Sequence, residues 1–157
     1  FLVDAADTAS QSITLNIPSA TIKSISFLLG VDSVRNVSGV QTGALDPLNG
    51  MFWTWNSGYI MAKLEGSSNS SSVAGRQFTY HIGGFKKENN SARIITLQLP
   101  GKNEPVKEIS LAANINAWFK SKHELKIAET PVCHSPGALA MKIADNYSTM
   151  FTLTAIQ

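Results

Sequence analysis

Short runs of alternating apolar and polar residues, separated by Gly, Pro, Asn and Ser clusters, constrain the fold of this chain most strongly. This period-2 pattern is typical of half-buried strands, because successive side chains of a strand point to opposite faces of its sheet. Eight runs show the pattern: 12–17, 21–31, 52–66, 75–85, 91–99, 106–115, 123–129 and 148–157. The pattern predicts an all-β protein, an antiparallel β-sandwich of immunoglobulin-like or jelly-roll-like type, rather than a βαβ fold.

Two segments predict short helices instead of strands. Residues 114–122 begin with an Asn cap, and residues 135–147 place Ser135 as the cap with Pro136 at the first helical position. An apolar stripe recurs every four residues of the second segment, at Leu139, Ile143 and Tyr147. We expect this helix to pack against a sheet.

Glycine and serine interrupt the strand pattern at three further places. The run 52–66 is broken near Ser57 and Gly58, which predicts a bulge there, and residues 66–75 are polar enough to form a hairpin loop. The pair Gly83 and Gly84 lacks the lysine and the following helix of a phosphate-binding loop. These two glycines predict a bulge or close backbone packing.

Size and charge restrict the class of protein. A chain of 157 residues is long enough for one core, and no segment resembles a linker, so we expect one domain over residues 1–157. Only 15% of residues are charged, whereas Ser, Thr, Asn and Gly are abundant, a balance typical of exported β-rich proteins. The net charge of +2 is scattered, which argues against nucleic acid as a partner, and no run predicts a transmembrane segment.

The residues give little support for an enzyme. The sequence contains no G-x-S-x-G motif. Cys133 and His134 are adjacent, so on a strand they point to opposite faces and do not form a nucleophile–base pair. We therefore expect no catalytic residues.

Histidine and tryptophan are the residues from which a metal site would be built. The three histidines are His81, His123 and His134, and none lies in a metal-ligand spacing with another. Trp53 and Trp55 are two residues apart, so on a strand they share a face. Core packing explains this pair adequately. A pocket for a redox-active ion, formed where the indoles meet His81 and His134, is the alternative.

Several ordered motifs resemble the MbnP-like family, which includes proteins of methanobactin operons and copper-repressible surface proteins. They are G-V-D-S (30–33), L-D-P-x-x-G-M-F-W-T-W-x-S-G-Y (45–59), K-x-E-G (63–66), H-I-G-G (81–84) and I-A-D-N-Y-x-x-M-F (143–151). The resemblance extends over nearly the whole chain. It also implies further strands before the position where this chain begins, and therefore an exposed sheet edge.

The resemblance implies an exported copper-binding β-sandwich without turnover of its own, located in the periplasm or at the outer cell surface, where a lipid can anchor it. It implies His81 and His134 as copper ligands. It also implies oxidation of one tryptophan to kynurenine by a dihaem cytochrome c peroxidase-like partner. Trp55 and Trp53 are the candidates, and we favour Trp55.

Four further residues are candidates for the surroundings of the metal: Met51, Cys133, Glu65 and Asp145. Glu65 and Asp145 would orient a ligating imidazole through a hydrogen bond. Cys133 has a second interpretation as inert core, which we favour. For the whole protein, the alternative function is a non-catalytic surface sandwich with a vestigial metal site, acting in surface assembly or in binding another ligand.

Overall fold

A computed structural model describes residues 1–17, 21–54, 56–100 and 105–157. Within these ranges the chain forms eight strands and two short α-helices. The strands are β1 (Ser24–Leu29), β2 (Phe52–Thr54), β3 (Gly58–Ser67), β4 (Gln77–Gly83), β5 (Arg93–Gln98), β6 (Ile109–Ala113), β7 (Val132–Cys133) and β8 (Phe151–Ile156). The helices are α1 (Ser33–Val37) and α2 (Ala138–Tyr147). The predicted all-β class with one or two short helices is therefore confirmed.

The described strands pair into three sheets, with the orders β1-β5, β2-β3-β4-β7 and β6-β8. Every pairing is antiparallel except that of β4 with β7, which is parallel, so the central sheet is mixed. The two outer sheets meet where Phe27 of β1 packs edge-on against Phe151 of β8, with ring centroids 5.1 Å apart. The sheets curl around one shared core, as a sandwich requires.

The core lies on one face of the central sheet. In β4 the alternating residues Tyr80 and Ile82 are buried against α2, whose Ile143 and Tyr147 are also buried. The predicted apolar stripe of this helix therefore packs against the sheet, as expected. His81, between these two residues of β4, points to the opposite face.

Two of the eight predicted strands are absent. Residues 12–17 form no strand, and all of them are exposed. Their apolar side chains are therefore not buried against a core, and burial would be needed to stabilise a strand here. Residues 123–129 contain only an isolated bridge between Lys120 and Glu124, followed by turns. Here the Asn146 side chain of α2 accepts a hydrogen bond from the His123 backbone N–H at 2.8 Å. This N–H is therefore not available to pair with a neighbouring strand.

The helix boundaries differ from the prediction by a few residues. Helix α2 begins at Ala138 with Gly137 as its N-cap, because Gly137 has φ +152° and the preceding Ser135 and Pro136 form bends. The predicted turn within 114–122 is a 3-10 helix over Ile115–Trp118. Its cap is confirmed, since the Asn114 side chain accepts a hydrogen bond from the Asn116 N–H.

Two features of the fold were not predicted. Helix α1 follows Asp32, whose carboxylate accepts a hydrogen bond from the Arg35 N–H and so caps the helix. The other is β7, which is only two residues long and is defined by its partner β4 rather than by any local pattern. None of the helices in the described ranges is long and apolar enough to pass through a bilayer.

Candidate metal site

Parallel pairing of β4 with β7 brings two distant histidines together. Tyr80 lies opposite Cys133 in this pairing, so His81 and His134, one residue further along each chain, become neighbours. Their imidazole rings stack with centroids 4.4 Å apart and planes inclined by 28°. The structure thus places both predicted ligands at one position on the face of the sheet opposite the core.

Glu65 orients one of these imidazoles from the neighbouring strand. In the β3–β4 register Lys63 is opposite His81 and Glu65 is opposite Thr79, so all three side chains share the outer face. Glu65 Oε1 lies 2.6 Å from His81 Nε2 and 3.6 Å from Lys63 Nζ. Because a carboxylate only accepts hydrogen bonds, His81 Nε2 is the donor, and a neutral His81 then carries its lone pair on Nδ1.

The electrostatics favour an ionised Glu65 and a neutral His134. The hydrogen bond from His81 lowers the pKa of Glu65, with a further contribution from the charge of Lys63. Desolvation of the ring and the charge of neighbouring His81 lower the pKa of His134, while Glu65 acts in the opposite direction. At neutral pH the carboxylate is therefore ionised and His134 is neutral, with a lone pair available for a metal.

Trp53 packs against Gly83, in the strand that carries His81. A β-carbon added to Gly83 would lie 2.6 Å from Trp53 Cζ3 and 3.0 Å from Trp53 Cη2. The indole therefore lies directly over Gly83, which shares a face of β4 with His81, two residues away. Trp55, the other predicted metal-proximal indole, lies outside the described residues.

The glycine after Gly83 receives the chain that carries His134. A β-carbon on Gly84 would lie 3.0 Å from Pro136 Cβ and 2.2 Å from the Asn89 carbonyl oxygen. Gly84 also has φ +118°, which side-chain-bearing residues rarely adopt. The predicted close packing at the glycine pair is confirmed: one glycine accommodates the indole, and the other accommodates the segment following His134.

The sequence matches the MbnP family model over residues 1–135, which include Trp53, Glu65, His81 and His134. The chain belongs to the MbnP family. The match ends before α2, so the I-A-D-N-Y-x-x-M-F motif lies outside the matched range. Neither a curated protein nor a solved structure matches the chain.

Cys133 and Met51 are two of the predicted neighbours of the metal. Cys133 points into the hydrophobic core, 6% exposed, on the face opposite His134, and burial raises the pKa of its thiol. Cys133, the last residue of β7, thus faces the core, whereas the next residue, His134, stacks on His81 at the outer face. Met51 immediately precedes β2, and its carbonyl accepts a hydrogen bond from the Ile60 N–H at 2.9 Å.

Asp145 contacts neither of the two stacked imidazoles in the hydrogen bonds that the structure describes. Asp145 is on α2, and its Oδ1 accepts hydrogen bonds from Arg93 Nε at 3.1 Å and Nη2 at 2.9 Å. Its Oδ2 lies 3.4 Å from His123 Nε2, so this carboxylate orients the one histidine that does not belong to the stacked pair. The pairing of Asp145 with His123 could not be predicted from sequence, because it depends on how α2 packs against the loop that carries His123.

The two imidazoles are donors of a type that copper accepts. Imidazole nitrogen suits copper, and a histidine whose other nitrogen donates to a carboxylate is the usual arrangement of a ligating histidine. His134 is exposed, and within the described ranges its ring nitrogens make no hydrogen bond, so its ring is free to turn toward an ion. Those same ranges contain no group of three or more His, Cys, Asp or Glu side chains arranged to hold a metal. The described residues thus bring two imidazoles to one position, and the nitrogen lone pairs, which lie in nearly parallel ring planes, converge on one ion only when a ring turns.

Proposed function

We propose that this protein binds a copper ion in the cell envelope, in the periplasm or at the outer cell surface, through His81 and His134. The observation that supports the proposal is the stacking of these two imidazoles at 4.4 Å, although 52 residues separate them along the chain (134 − 81 − 1). Both rings carry nitrogens that can ligate a metal, and the pairing of β4 with β7 brings them to one position. The hydrogen bond from His81 to Glu65 gives one of them the orientation of a metal ligand.

The roles of the individual residues follow from their contacts. Glu65 accepts the Nε2 proton of His81, which leaves Nδ1 to face the ion. His134 supplies the second nitrogen, and its lowered pKa keeps that nitrogen unprotonated at neutral pH. When bound, copper supplies one-electron redox chemistry beside an electron-rich indole.

The third donor of the proposed site is a modified tryptophan. In this proposal a dihaem cytochrome c peroxidase-like partner oxidises one indole to kynurenine, whose new aromatic amine can ligate copper. The conversion breaks the indole C2–C3 bond, consumes an oxidant equivalent to one O₂ together with one water, and releases C2 as formate. The location of Trp53 over Gly83 supports Trp53 as the modified residue, with Trp55 as the alternative.

The proposed copper site is tested by measuring copper affinity in competition with a chelator. His81→Ala and His134→Ala should each lose more affinity than the roughly 10–100-fold typical for a residue that only supports a ligand. His123→Ala is the matched control, because the third histidine pairs with Asp145 away from the stacked rings. Equal affinity in wild type and all three variants would contradict the proposal.

The proposed modification is tested by peptide mass mapping of protein from cells that contain the dihaem partner. A mass gain equal to the change from tryptophan to kynurenine is expected on one peptide, and fragmentation then distinguishes Trp53 from Trp55. The same protein from cells that lack the partner should carry only unmodified tryptophan. Modification in both samples would contradict the role of the partner.

A second function is favoured by one observation. Across the described part of the chain, no three His, Cys, Asp or Glu side chains converge as metal ligands. This fits an envelope sandwich with a vestigial site that acts in surface assembly or binds another ligand. Such a protein would show copper affinity no higher than that of its His81→Ala variant.

A further inference from the structure

The absence of a side chain at Gly83 creates the space that Trp53 occupies. A β-carbon there would lie 2.6 Å and 3.0 Å from two atoms of the indole, and 2.8 Å from the Tyr59 carbonyl oxygen. In protein structures, β-carbons essentially never lie closer than 3.0 Å to such neighbouring atoms. The φ angle of Gly83 is not positive, so space and not backbone conformation excludes other residues.

The position of Gly83 relates this space to the imidazole pair. Gly83 is the last residue of β4 and His81 is two residues earlier, so both face the outer side of the sheet about 7 Å apart. Opposite Gly83 the register of β3 shifts between Ile60 and Ala62, so β3 has a local irregularity there. The far ring of the indole is therefore held against β4 two residues from His81.

We propose that Gly83 is a positioning residue of the copper site: its missing side chain admits the indole of Trp53 and fixes it beside His81 and His134. This inference rests on the proposed copper function for its purpose, but its steric part holds for the metal-free protein. A side chain at Gly83 would move the indole away from the imidazoles. It would leave both histidines in place.

The steric part is tested without copper, by a double-mutant cycle on the unfolding equilibrium. Gly83→Ala should lower the folding equilibrium constant by about 5- to 150-fold, the usual range for overpacking a site. In a Trp53→Ala background the same substitution should cost less, because both contacts with the indole are gone and the 2.8 Å contact with the Tyr59 carbonyl remains. If Gly83→Ala alone does not fold, then folding of the Gly83→Ala/Trp53→Ala protein is the expected result.

Gly66→Ala is the matched control. A β-carbon at Gly66 would lie 2.9 Å from Phe78 Cζ, so this change overpacks the same hairpin, where it meets Phe78 rather than the indole. Its cost should be the same with and without Trp53. Additive effects of Gly83→Ala and Trp53→Ala, or a double variant that remains unfolded, would overturn the inference.

The link to the site is tested with copper(II) as the probe. Copper(II) quenches the fluorescence of indoles close to it, and Trp53→Phe identifies the share of quenching that belongs to Trp53. Gly83→Ala should lose that share, yet bind copper more tightly than His81→Ala does. Unchanged quenching in Gly83→Ala would overturn the inference. Copper affinity that does not depend on either histidine would instead overturn the proposed function. In that case the double-mutant cycle alone would decide the steric role of Gly83.

Discussion

Replacing Glu65 by glutamine isolates the contribution of one hydrogen bond to the candidate metal site. Glutamine keeps the shape of the side chain but removes its charge and adds a donor. In wild type the carboxylate accepts from His81 Nε2 at 2.6 Å and is 3.6 Å from Lys63 Nζ. In Glu65→Gln the amide can bind either the protonated or the unprotonated nitrogen, so His81 no longer has one preferred tautomer.

The size of the effect follows from the exposure of the groups. Residues that orient a ligating histidine typically contribute about 10–100-fold to metal affinity. The Glu65 side chain is 48% exposed and that of His81 is 20% exposed, so water screens part of the interaction. We therefore expect the lower end of the range, about a tenfold loss of copper affinity, or about 1.4 kcal/mol.

Copper affinity measured at neutral pH by competition with a chelator would test this prediction. Glu129→Gln is the matched control, since Glu129 is 67% exposed and pairs with Lys126 at 3.3 Å on another part of the surface. The free energy of unfolding of metal-free Glu65→Gln should fall by less than about 1 kcal/mol, as for other exposed ion pairs. An affinity equal to that of wild type, or equal losses in Glu65→Gln and Glu129→Gln, would refute the role of Glu65.

Three further predictions concern stability and reactivity. Burial raises the pKa of Asp145, but the hydrogen bonds and charge of Arg93 outweigh it, so the folded pKa lies below 3.8. The ion pair therefore stabilises the fold above this pH and is lost as pH falls through the folded pKa. Asp145 is 37% exposed, so Asp145→Asn should cost about 1 kcal/mol in urea unfolding at pH 7, and the difference from wild type should shrink toward pH 3; a constant difference would contradict the assignment. Tyr147→Phe removes a 2.6 Å hydrogen bond to the buried Ser91 carbonyl and should cost about 1–2 kcal/mol, whereas no loss of stability would show that another donor replaces it. Cys133 should react with iodoacetamide only after unfolding, because it is buried and its pKa is raised, and rapid alkylation of the folded protein would contradict its place in the core.

The part of the candidate site that could be predicted from sequence is the identity of its residues. His81 belongs to the H-I-G-G motif and Glu65 to the K-x-E-G motif, whereas His134 follows from the family resemblance as a whole. Asp145 likewise is the one acidic residue of a family motif, I-A-D-N-Y-x-x-M-F, yet its carboxylate pairs with Arg93 and His123. Sequence could not distinguish the two carboxylates, because both lie at positions compatible with a hydrogen bond to an imidazole.

Gly83 and Lys63 show a different limit. Gly83 makes room for an indole that lies 30 positions earlier in the chain (83 − 53). Lys63 lies beside Glu65 and opposite His81 only because β3 pairs with β4 in this register. Local patterns contain no information about either neighbour. Only the register of β3 on β4 and the path of β2 bring these side chains to the same face.

The sequence alone determined that this chain builds strands with one apolar face, since only a strand places alternating apolar side chains on a single face that a core can bury. It also determined that Cys133 and His134 point to opposite sides of any strand they form. The tertiary structure alone decided which strand receives that pair. A two-residue strand has too little pattern to specify its partner, so the meeting of two imidazoles depends on the whole core that packs Tyr80 against Cys133.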